Sequence, residues 1–206
     1  MTLWWALVGA VFAISLTPGA GAVNTMNNAM AAGWRRAIWG IIGQQFALIV
    51  HIVIVAAGVG LLVAQSPVAF AVIRYAGAAY LVFLGAQKIV LSFRPAPVTG
   101  APVVSVVESP GRMLLGGFWV NILNPKSILF FLAFLPQFIR PDQPLLAQYV
   151  VLIATVIVVD VIVMWLGFAA AARQFARFAA SARGRRILDR TFGAVFIALG
   201  AALALV

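Results

Sequence analysis

Long apolar runs separated by short polar connections dominate this chain. Six of the runs are long enough to cross a membrane as helices, because about 20 residues rising 1.5 Å each cover a hydrocarbon core of ~30 Å. The predicted spans, numbered one to six, cover residues 3–30, 38–63, 68–93, 113–139, 145–172 and 187–206. The pattern predicts an all-α, polytopic membrane protein that forms a single transmembrane domain over residues 1–206.

Proline interrupts spans one and four, at Pro18 and at Pro125. Because proline lacks a backbone N–H and clashes with the preceding turn, both spans are predicted to be broken helices. The second half-helix would then present free amides, and the positive end of its dipole, to an anion such as a carboxylate. After Pro18 these amides belong to Gly19, Ala20 and Gly21. An ordinary proline kink packed against neighbouring helices is the alternative interpretation.

Composition and charge exclude soluble classes and orient the spans. Of the 206 residues, 65% are hydrophobic and 9% are charged, which leaves too few polar groups to cover a soluble globule. Eleven of the 14 Lys and Arg residues lie at or beside the connections that follow spans one, three and five. The positive-inside rule places these connections in the cytoplasm and both termini outside. Since this orientation explains the formal charge of +10, the predicted partner is the lipid bilayer and not nucleic acid.

The two halves of the chain are predicted to form an inverted repeat. Three spans per half reverse the direction of the second half, so residues 1–93 and 113–206 would be antiparallel three-helix units with broken helices one and four. The proline- and glycine-rich residues 94–112 form the predicted linker. Pro18 and Pro125 lie 107 positions apart, at matching places in the two halves. Similar stretches in spans three and six support the same conclusion, at residues 74–86 and 190–201.

Asp160 is the only acidic residue in the interior of a predicted span. Acids at membrane depth are expensive to bury and mark functional sites. The Asp160 carboxylate is predicted to bind a substrate ammonium or to carry a coupling proton, and a structural pair with Lys126 or His51 is the alternative. His51 lies 109 positions earlier, at the matching place in span two, where a proton-relay role and a neutral packing role fit equally.

Lys126 directly follows the second break, and three interpretations fit it. The ammonium holds a substrate carboxylate, pairs with Asp160, or reaches the cytoplasmic interface along its methylene stem. Amide side chains near the breaks are predicted to supply polar contacts to the substrate. They belong to Asn24, Gln44, Asn121 and Asn124.

The chain lacks the residues that metal sites and hydrolytic enzymes need. It has no cysteine and a single histidine, which excludes disulfides, thiolate sites and histidine-rich metal sites. Paired intramembrane aspartates and a G-x-S-x-G motif are also missing from the sequence. We therefore predict no enzymatic activity and no cofactor.

Several segments resemble the lysine exporter (LysE/RhtB) family of bacterial amino-acid exporters. They lie at residues 15–26, 77–85, 121–127, 135–139 and 159–164. The Pro-Gly-x-Gly-Ala-x-Asn-Thr-Met sequence that starts at Pro18 is most similar to the homoserine and homoserine-lactone efflux proteins of that family. The resemblance departs at Ala20, where the family motif usually has a second proline.

The resemblance implies a secondary active exporter in the bacterial inner membrane, driven by the proton motive force. Its substrate would be a small neutral amino acid or a derivative, of the homoserine, homoserine lactone or threonine class. The substrate carboxylate would meet the amides after Pro18 and Pro125, the ammonium would meet Asp160, and rocking of the halves would alternate access. A passive channel or facilitator is the alternative, because paired half-helices also build pores. The predicted partners are the amino acid, the proton and the bilayer, and a homo-oligomer is compatible with the sequence.

Overall fold

The computed structural model describes residues 2–65, 67–93, 108–140 and 142–205. All regular structure in these ranges is helical, and no strand occurs among them. The elements are α1 Thr2–Leu16, α2 Ala20–Ala32, α3 Ile38–Gln65, α4 Pro67–Leu91, α5 Pro110–Ile122, α6 Pro125–Phe134, the 3₁₀ turn Leu135–Phe138, α7 Leu145–Val161, the π-helical segment Ile162–Ala169, α8 Ala172–Ala180 and α9 Ala182–Leu205. The all-α prediction is confirmed.

Both proline-containing spans are broken helices, as the sequence predicts. The axes of α1 and α2 meet at 59°, and α5 meets the segment made of α6 and the 3₁₀ turn at 57°. At the first break Gly19 is extended, with φ −141° and ψ −166°, and α2 begins directly after it. At the second break the Asn124 side-chain oxygen accepts a hydrogen bond from the Lys126 backbone N–H and caps α6. Each break therefore brings one helix C-terminus and one helix N-terminus together within a few residues.

Three helical segments are long and apolar enough to cross a membrane on their own, namely Ile38–Gly58, Leu145–Ala169 and Ala182–Leu205. If each bent pair forms one span, the described residues hold up to five. The remaining predicted span, span three at residues 68–93, corresponds to α4. These lengths agree with a polytopic membrane protein, and the count of six spans in two inverted repeats stays a prediction.

The fourth span begins earlier than predicted. α5 starts at Pro110 and not at residue 113, because the Ser109 side chain caps it by accepting from the Arg112 backbone N–H. Proline also suits the first turn of a helix, where its missing N–H has no partner to lose. Residues 94–107 of the predicted linker lie outside the described residues.

The basic stretch 173–186, predicted as a connection, is mostly helical. It contains most of α8 and the start of α9, which are separated by Ser181 alone. Alanine and arginine are strong helix formers, and Phe175 anchors α8 through ring contact with Phe168 at a centroid distance of 5.0 Å. The five arginines of this stretch therefore lie on helices and not on a loop.

The fifth span changes its helix type two residues after Asp160. α7 ends at Val161 and continues without interruption into the π-helical segment Ile162–Ala169. A π-helix is wider than an α-helix and often occurs at functional sites.

Glycines bring two pairs of helices into close contact. α3 lies along α5, where a Cβ on Gly43 would collide with the Leu114 carbonyl and a Cβ on Gly117 would collide with the Gly40 carbonyl. α4 lies along α9 with similarly close glycine contacts. The first pair includes α5, the first half of the second broken span. A buried apolar cluster joins residues from α1, α3, α4, α6, α7 and α9.

Candidate functional site

A small cavity lies where the two broken spans meet α3 and α7. Its volume is about 40 Å³, room for roughly three water molecules at ~10–15 Å³ each. Ser15, Ser127 and apolar side chains such as Phe130 form part of its wall. Six residues predicted for the site also line it, namely Gly21, Gln44, Asn121, Asn124, Lys126 and Asp160. The structure therefore brings the predicted acid, lysine and amides together around one space.

Asp160 is held by two hydrogen-bond donors from other helices. The Ser15 hydroxyl on α1 donates to Oδ1 at 2.7 Å, and the Gln45 side-chain amide on α3 donates to Oδ2 at 2.7 Å. The residue is 6% exposed. Two short bonds from neutral donors satisfy both carboxylate oxygens without an ion pair.

Lys126 caps the broken end of α1. Its Nζ donates to the carbonyl of Ile14 at 3.0 Å and to the carbonyl of Thr17 at 2.8 Å. The Ile14 carbonyl needs a new partner because Pro18, four residues on, has no N–H to offer. Gly19 leaves room for the ammonium, since a Cβ there would lie 3.2 Å from Nζ. A cation from the second half of the chain thus satisfies the helix end that proline opens in the first half.

The structure selects none of the three sequence interpretations of Lys126 in full. In the part of the chain that the structure describes, ion pairs join Asp189 to Lys88 and to Arg185, and none joins Lys126 to Asp160. The Lys126 side chain also points to the first break instead of extending to an interface. Lys126 and Asp160 therefore line the same cavity without forming an ion pair.

Amide side chains tie the second break to α3. Asn121 donates from Nδ2 to the Gln44 backbone carbonyl at 3.1 Å, and its Oδ1 accepts from the Ser127 hydroxyl at 3.1 Å. Asn124 donates to the same Oδ1 at 3.5 Å. These bonds hold the α5–α6 break in one geometry against the middle of α3.

Gln44 performs the corresponding task for the start of α2. Its Nε2 lies 3.0 Å from both the Gly21 carbonyl and the Thr25 hydroxyl oxygen, and 3.4 Å from Asn24 Oδ1. Asn28 donates to that same Asn24 oxygen at 3.2 Å. Asn24 therefore lies beside the cavity, in a polar row along α2, and does not line it.

Four of the predicted residues at the breaks do not line the cavity. Pro18 and Gly19 are half-buried, whereas Ala20 and Pro125 are exposed. The prolines therefore act through the backbone that they open, and Ala20, where the resemblance departs, places its side chain away from the cavity.

His51 lies at a different place from Asp160. Its Nε2 is 3.1 Å from the Ile122 carbonyl at the end of α5, and it lines a separate apolar cavity of about 210 Å³. Its Nδ1 is buried and has no hydrogen-bond partner within the described residues. The structure thus gives His51 a contact at the second break and does not bring it to the carboxylate.

The two breaks carry equivalent long-range contacts. Ser15, three residues before Pro18, bonds Asp160 in the fifth span. Ile122, three residues before Pro125, contacts His51 in the second span. Each contact therefore joins one half of the chain to the other between matching positions, with an acid in one pair and a histidine in the other.

Sequence reasoning missed the two residues that bond the carboxylate, Ser15 and Gln45. A signal was present, because both are polar residues inside apolar spans and polar groups at membrane depth need partners. Ser15 precedes the Pro18 break, and Gln45 stands next to Gln44, which was predicted.

The described residues contain no group of three or more His, Asp or Glu side chains that could hold a metal ion. The site is consequently a polar cavity with one acid, one amine and several amides. Such a set can bind a small zwitterion through charge-assisted hydrogen bonds.

The chain matches the family described as LysE type translocator over residues 12–206. A homoserine/homoserine lactone efflux protein of Salmonella typhimurium is 41% identical over 201 residues, which cover 98% of this chain and 95% of that protein. An uncharacterized membrane protein of Vibrio cholerae is 40% identical over 203 residues, covering 98% and 96%. A leucine efflux protein of Salmonella typhimurium is 30% identical over 144 residues, covering 70% and 66%. No solved structure matches the chain.

The relatives with a named activity are efflux proteins and not enzymes, in agreement with the sequence expectation. The family match includes both breaks and the six predicted site residues that line the cavity. This multi-pass membrane protein belongs to the LysE type translocator family.

Proposed function

We propose that this protein is a secondary active exporter of small neutral amino acids or their derivatives, of the homoserine, homoserine lactone and threonine class. The observation that carries the proposal is the buried Asp160, which lies in a polar cavity at the junction of two broken helices. Broken helices that meet at a polar site are typical of secondary transporters. The relatives named for homoserine, homoserine lactone and leucine efflux support the choice of substrate.

The charges of the cavity suit a zwitterion. Within the described residues, Asp160 and Lys126 are the charged side chains that line it. Asp160 would bind the substrate ammonium, and Lys126 would bind the carboxylate together with the free amides at the start of α2 and α6. Gln44, Asn121 and Asn124 would complete the polar contacts.

Transport requires the cavity to enlarge. A volume of about 40 Å³ is too small for an amino acid, because it holds only a few waters at ~10–15 Å³ each. Relative movement of the two halves would open the cavity to one side at a time. In this proposal the predicted inverted repeat supplies the two halves, and both termini lie outside the bacterial inner membrane.

Proton coupling would follow from competition for one carboxylate. A proton and a substrate ammonium cannot both occupy the Asp160 oxygens, so proton uptake from outside would release the substrate there. Loss of that proton to the cytoplasm would restore the carboxylate for the next substrate. Proton-for-substrate exchange is the result, and the larger inward driving force on protons would export the amino acid.

The test is uptake of labelled homoserine into everted membrane vesicles with an acidic interior. Asp160→Asn keeps the shape of the side chain but removes its charge, so we expect gradient-driven uptake to fall by about tenfold or more. The matched control is Asp142→Asn, because Asp142 is an exposed acid outside the spans and its loss should leave uptake unchanged. Undiminished, proton-dependent uptake by Asp160→Asn would refute the proposed role.

A passive facilitator is the second candidate, and the paired broken helices favour it because half-helices also line pores. A facilitator equilibrates its substrate and cannot concentrate it. Accumulation of homoserine above the external concentration, abolished by an uncoupler, supports the exporter. Equilibration that ignores the proton gradient supports the facilitator.

A further inference from the structure

Gln45 is a buried amide in which only one of the two polar side-chain atoms is hydrogen-bonded. It lies on α3, is 7% exposed, and donates from Nε2 to Asp160 Oδ2 at 2.7 Å. Its other polar atom, Oε1, is buried and has no hydrogen-bond partner in the described parts of the chain. An unpaired buried carbonyl destabilises a protein. Because Gln45 Oε1 lies beside a proposed proton site, we consider a second state of that site in which this oxygen accepts a hydrogen bond.

A protonated Asp160 would supply the missing partner. A carboxylate only accepts hydrogen bonds, whereas a carboxylic acid has an O–H that must donate. If the Gln45 amide turns by about half a revolution, Oε1 takes the place of Nε2 and accepts from that O–H. Ser15 allows the same change, because a hydroxyl both donates and accepts.

The ionisable groups around Asp160 do not hydrogen-bond its carboxyl group in this structure, so its partners are neutral. Lys126 on α6 is the other charged side chain that lines the cavity among the described residues, and it is engaged with two carbonyls of α1. His51, on the same helix as Gln45, contacts the Ile122 carbonyl and lines a separate cavity. In this structure α1 contributes the Ser15 hydroxyl and α3 contributes the Gln45 amide to the carboxylate.

We infer that Gln45 is a positioning residue whose amide turns with the protonation state of Asp160, donating to the carboxylate and accepting from the acid. The inference rests on the proposed function, in which Asp160 exchanges a proton for a substrate ammonium. The proton comes from water and returns to water, forming and breaking one O–H bond on Asp160. Gln45 neither gains nor loses a proton. The turn keeps the carboxyl group in place through both halves of the cycle.

The test compares Gln45→Met and Gln45→Glu with the unchanged chain in proton-driven homoserine uptake measured across a range of pH. Met has nearly the shape of Gln but cannot donate, which disfavours the charged form of Asp160, so we expect the midpoint of the pH profile to rise by about one unit. Glu adds a second carboxyl that shares a proton with the first, so we expect a larger rise. Phe46→Leu is the control, because Phe46 is the next residue on α3 and is 51% exposed.

A purely structural role for Gln45 would lower uptake at every pH without moving the midpoint, and that result would overturn the inference. Infrared difference spectra of the purified protein give a readout that does not need transport. The acid C=O band that Asp160→Asn removes should shift in frequency in Gln45→Met, and an unshifted band would also overturn the inference. If Asp160→Asn keeps proton-driven uptake, the proposed function fails. If Asp160→Asn loses that uptake but the pH midpoint of Gln45→Met does not move, only the role of Gln45 is refuted.

Discussion

Lys126 combines a structural and a proposed binding role in one ammonium group. Two of its three N–H donors have partners in the carbonyls of Ile14 and Thr17. The third has no partner among the described residues, so it can meet a substrate carboxylate in the cavity that Lys126 lines. The same residue therefore stabilises the first break and contributes the positive charge of the site.

Lys126→Met should impair homoserine transport more than homoserine lactone transport. The lactone has no free carboxylate, so its transport is reduced only by the weakening of the first break. Homoserine also loses a charge-assisted hydrogen bond, and we expect its uptake at low concentration to fall by about tenfold more than that of the lactone. Uptake of the two labelled compounds into the same vesicles measures the ratio.

Lys126→Arg is the control for that measurement, because it keeps the charge and should affect the two substrates alike. Equal losses for homoserine and the lactone in Lys126→Met would show that the lysine acts on α1 alone.

At the scale of residues, the charged groups of the site could be predicted from the sequence, whereas the side chains that hydrogen-bond to them could not. Asp160 and Lys126 stand out because each is an isolated charge in an apolar span. Ser15 and Gln45 contact the carboxylate across 145 and 115 sequence positions. No local pattern encodes which of several polar side chains on α1 and α3 will face α7, so these contacts appear only in the structure.

At the scale of elements, the glycine contact between α3 and α5 holds the second broken span against the middle of the protein. Gly117 faces the α3 backbone so closely that a Cβ would collide with the Gly40 carbonyl, whereas a Cβ on Gly116 would meet no atom within 4 Å. The two glycines are neighbours in one helix and differ only in what they face. They form a matched pair for measuring what the close contact contributes.

Gly117→Ala should lower the thermal unfolding midpoint of the detergent-solubilised protein, and Gly116→Ala should leave it unchanged or raise it. Overpacking against a backbone costs about 1–3 kcal/mol, while alanine in an open helical position gains roughly 0.5–1 kcal/mol over glycine. Thermal unfolding followed by size-exclusion chromatography gives both midpoints. Equal midpoints for the two variants would contradict a tight α3–α5 contact.

Element boundaries could be predicted where a residue has a backbone effect, and not where only hydrophobicity guides the reading. Pro18 and Pro125 mark the breaks because proline acts on the chain locally. The π-helical segment Ile162–Ala169 has no such signal, since a span that is apolar on all sides shows no period from which helix type can be read. α8 was not predicted because its segment is rich in arginine, and a run of basic residues between two spans is also typical of a connecting loop.

At the scale of the whole molecule, the broken spans of the two halves have similar bends and differ in their chemistry. The bends of 59° and 57° are nearly equal, and equivalent positions join Ser15 to Asp160 and Ile122 to His51. These matches support the predicted inverted repeat. The acid of one half faces the polar cavity while the histidine of the other faces an apolar one, so substrate binding and proton exchange would be concentrated on one side of the pseudo-symmetric pair.

The positive-inside rule predicts an orientation that single cysteines can test, because the chain has no cysteine of its own. Gln143 and Ala182 are both exposed, the first in the connection before α7 and the second at the start of α9. The positive-inside rule places the arginine-rich start of α9 in the cytoplasm and the connection before α7 outside. In intact cells a membrane-impermeant maleimide should therefore label Gln143→Cys, and should label Ala182→Cys only after permeabilisation. The unchanged chain sets the background, and labelling from the reversed sides would refute the orientation together with the direction of export that depends on it.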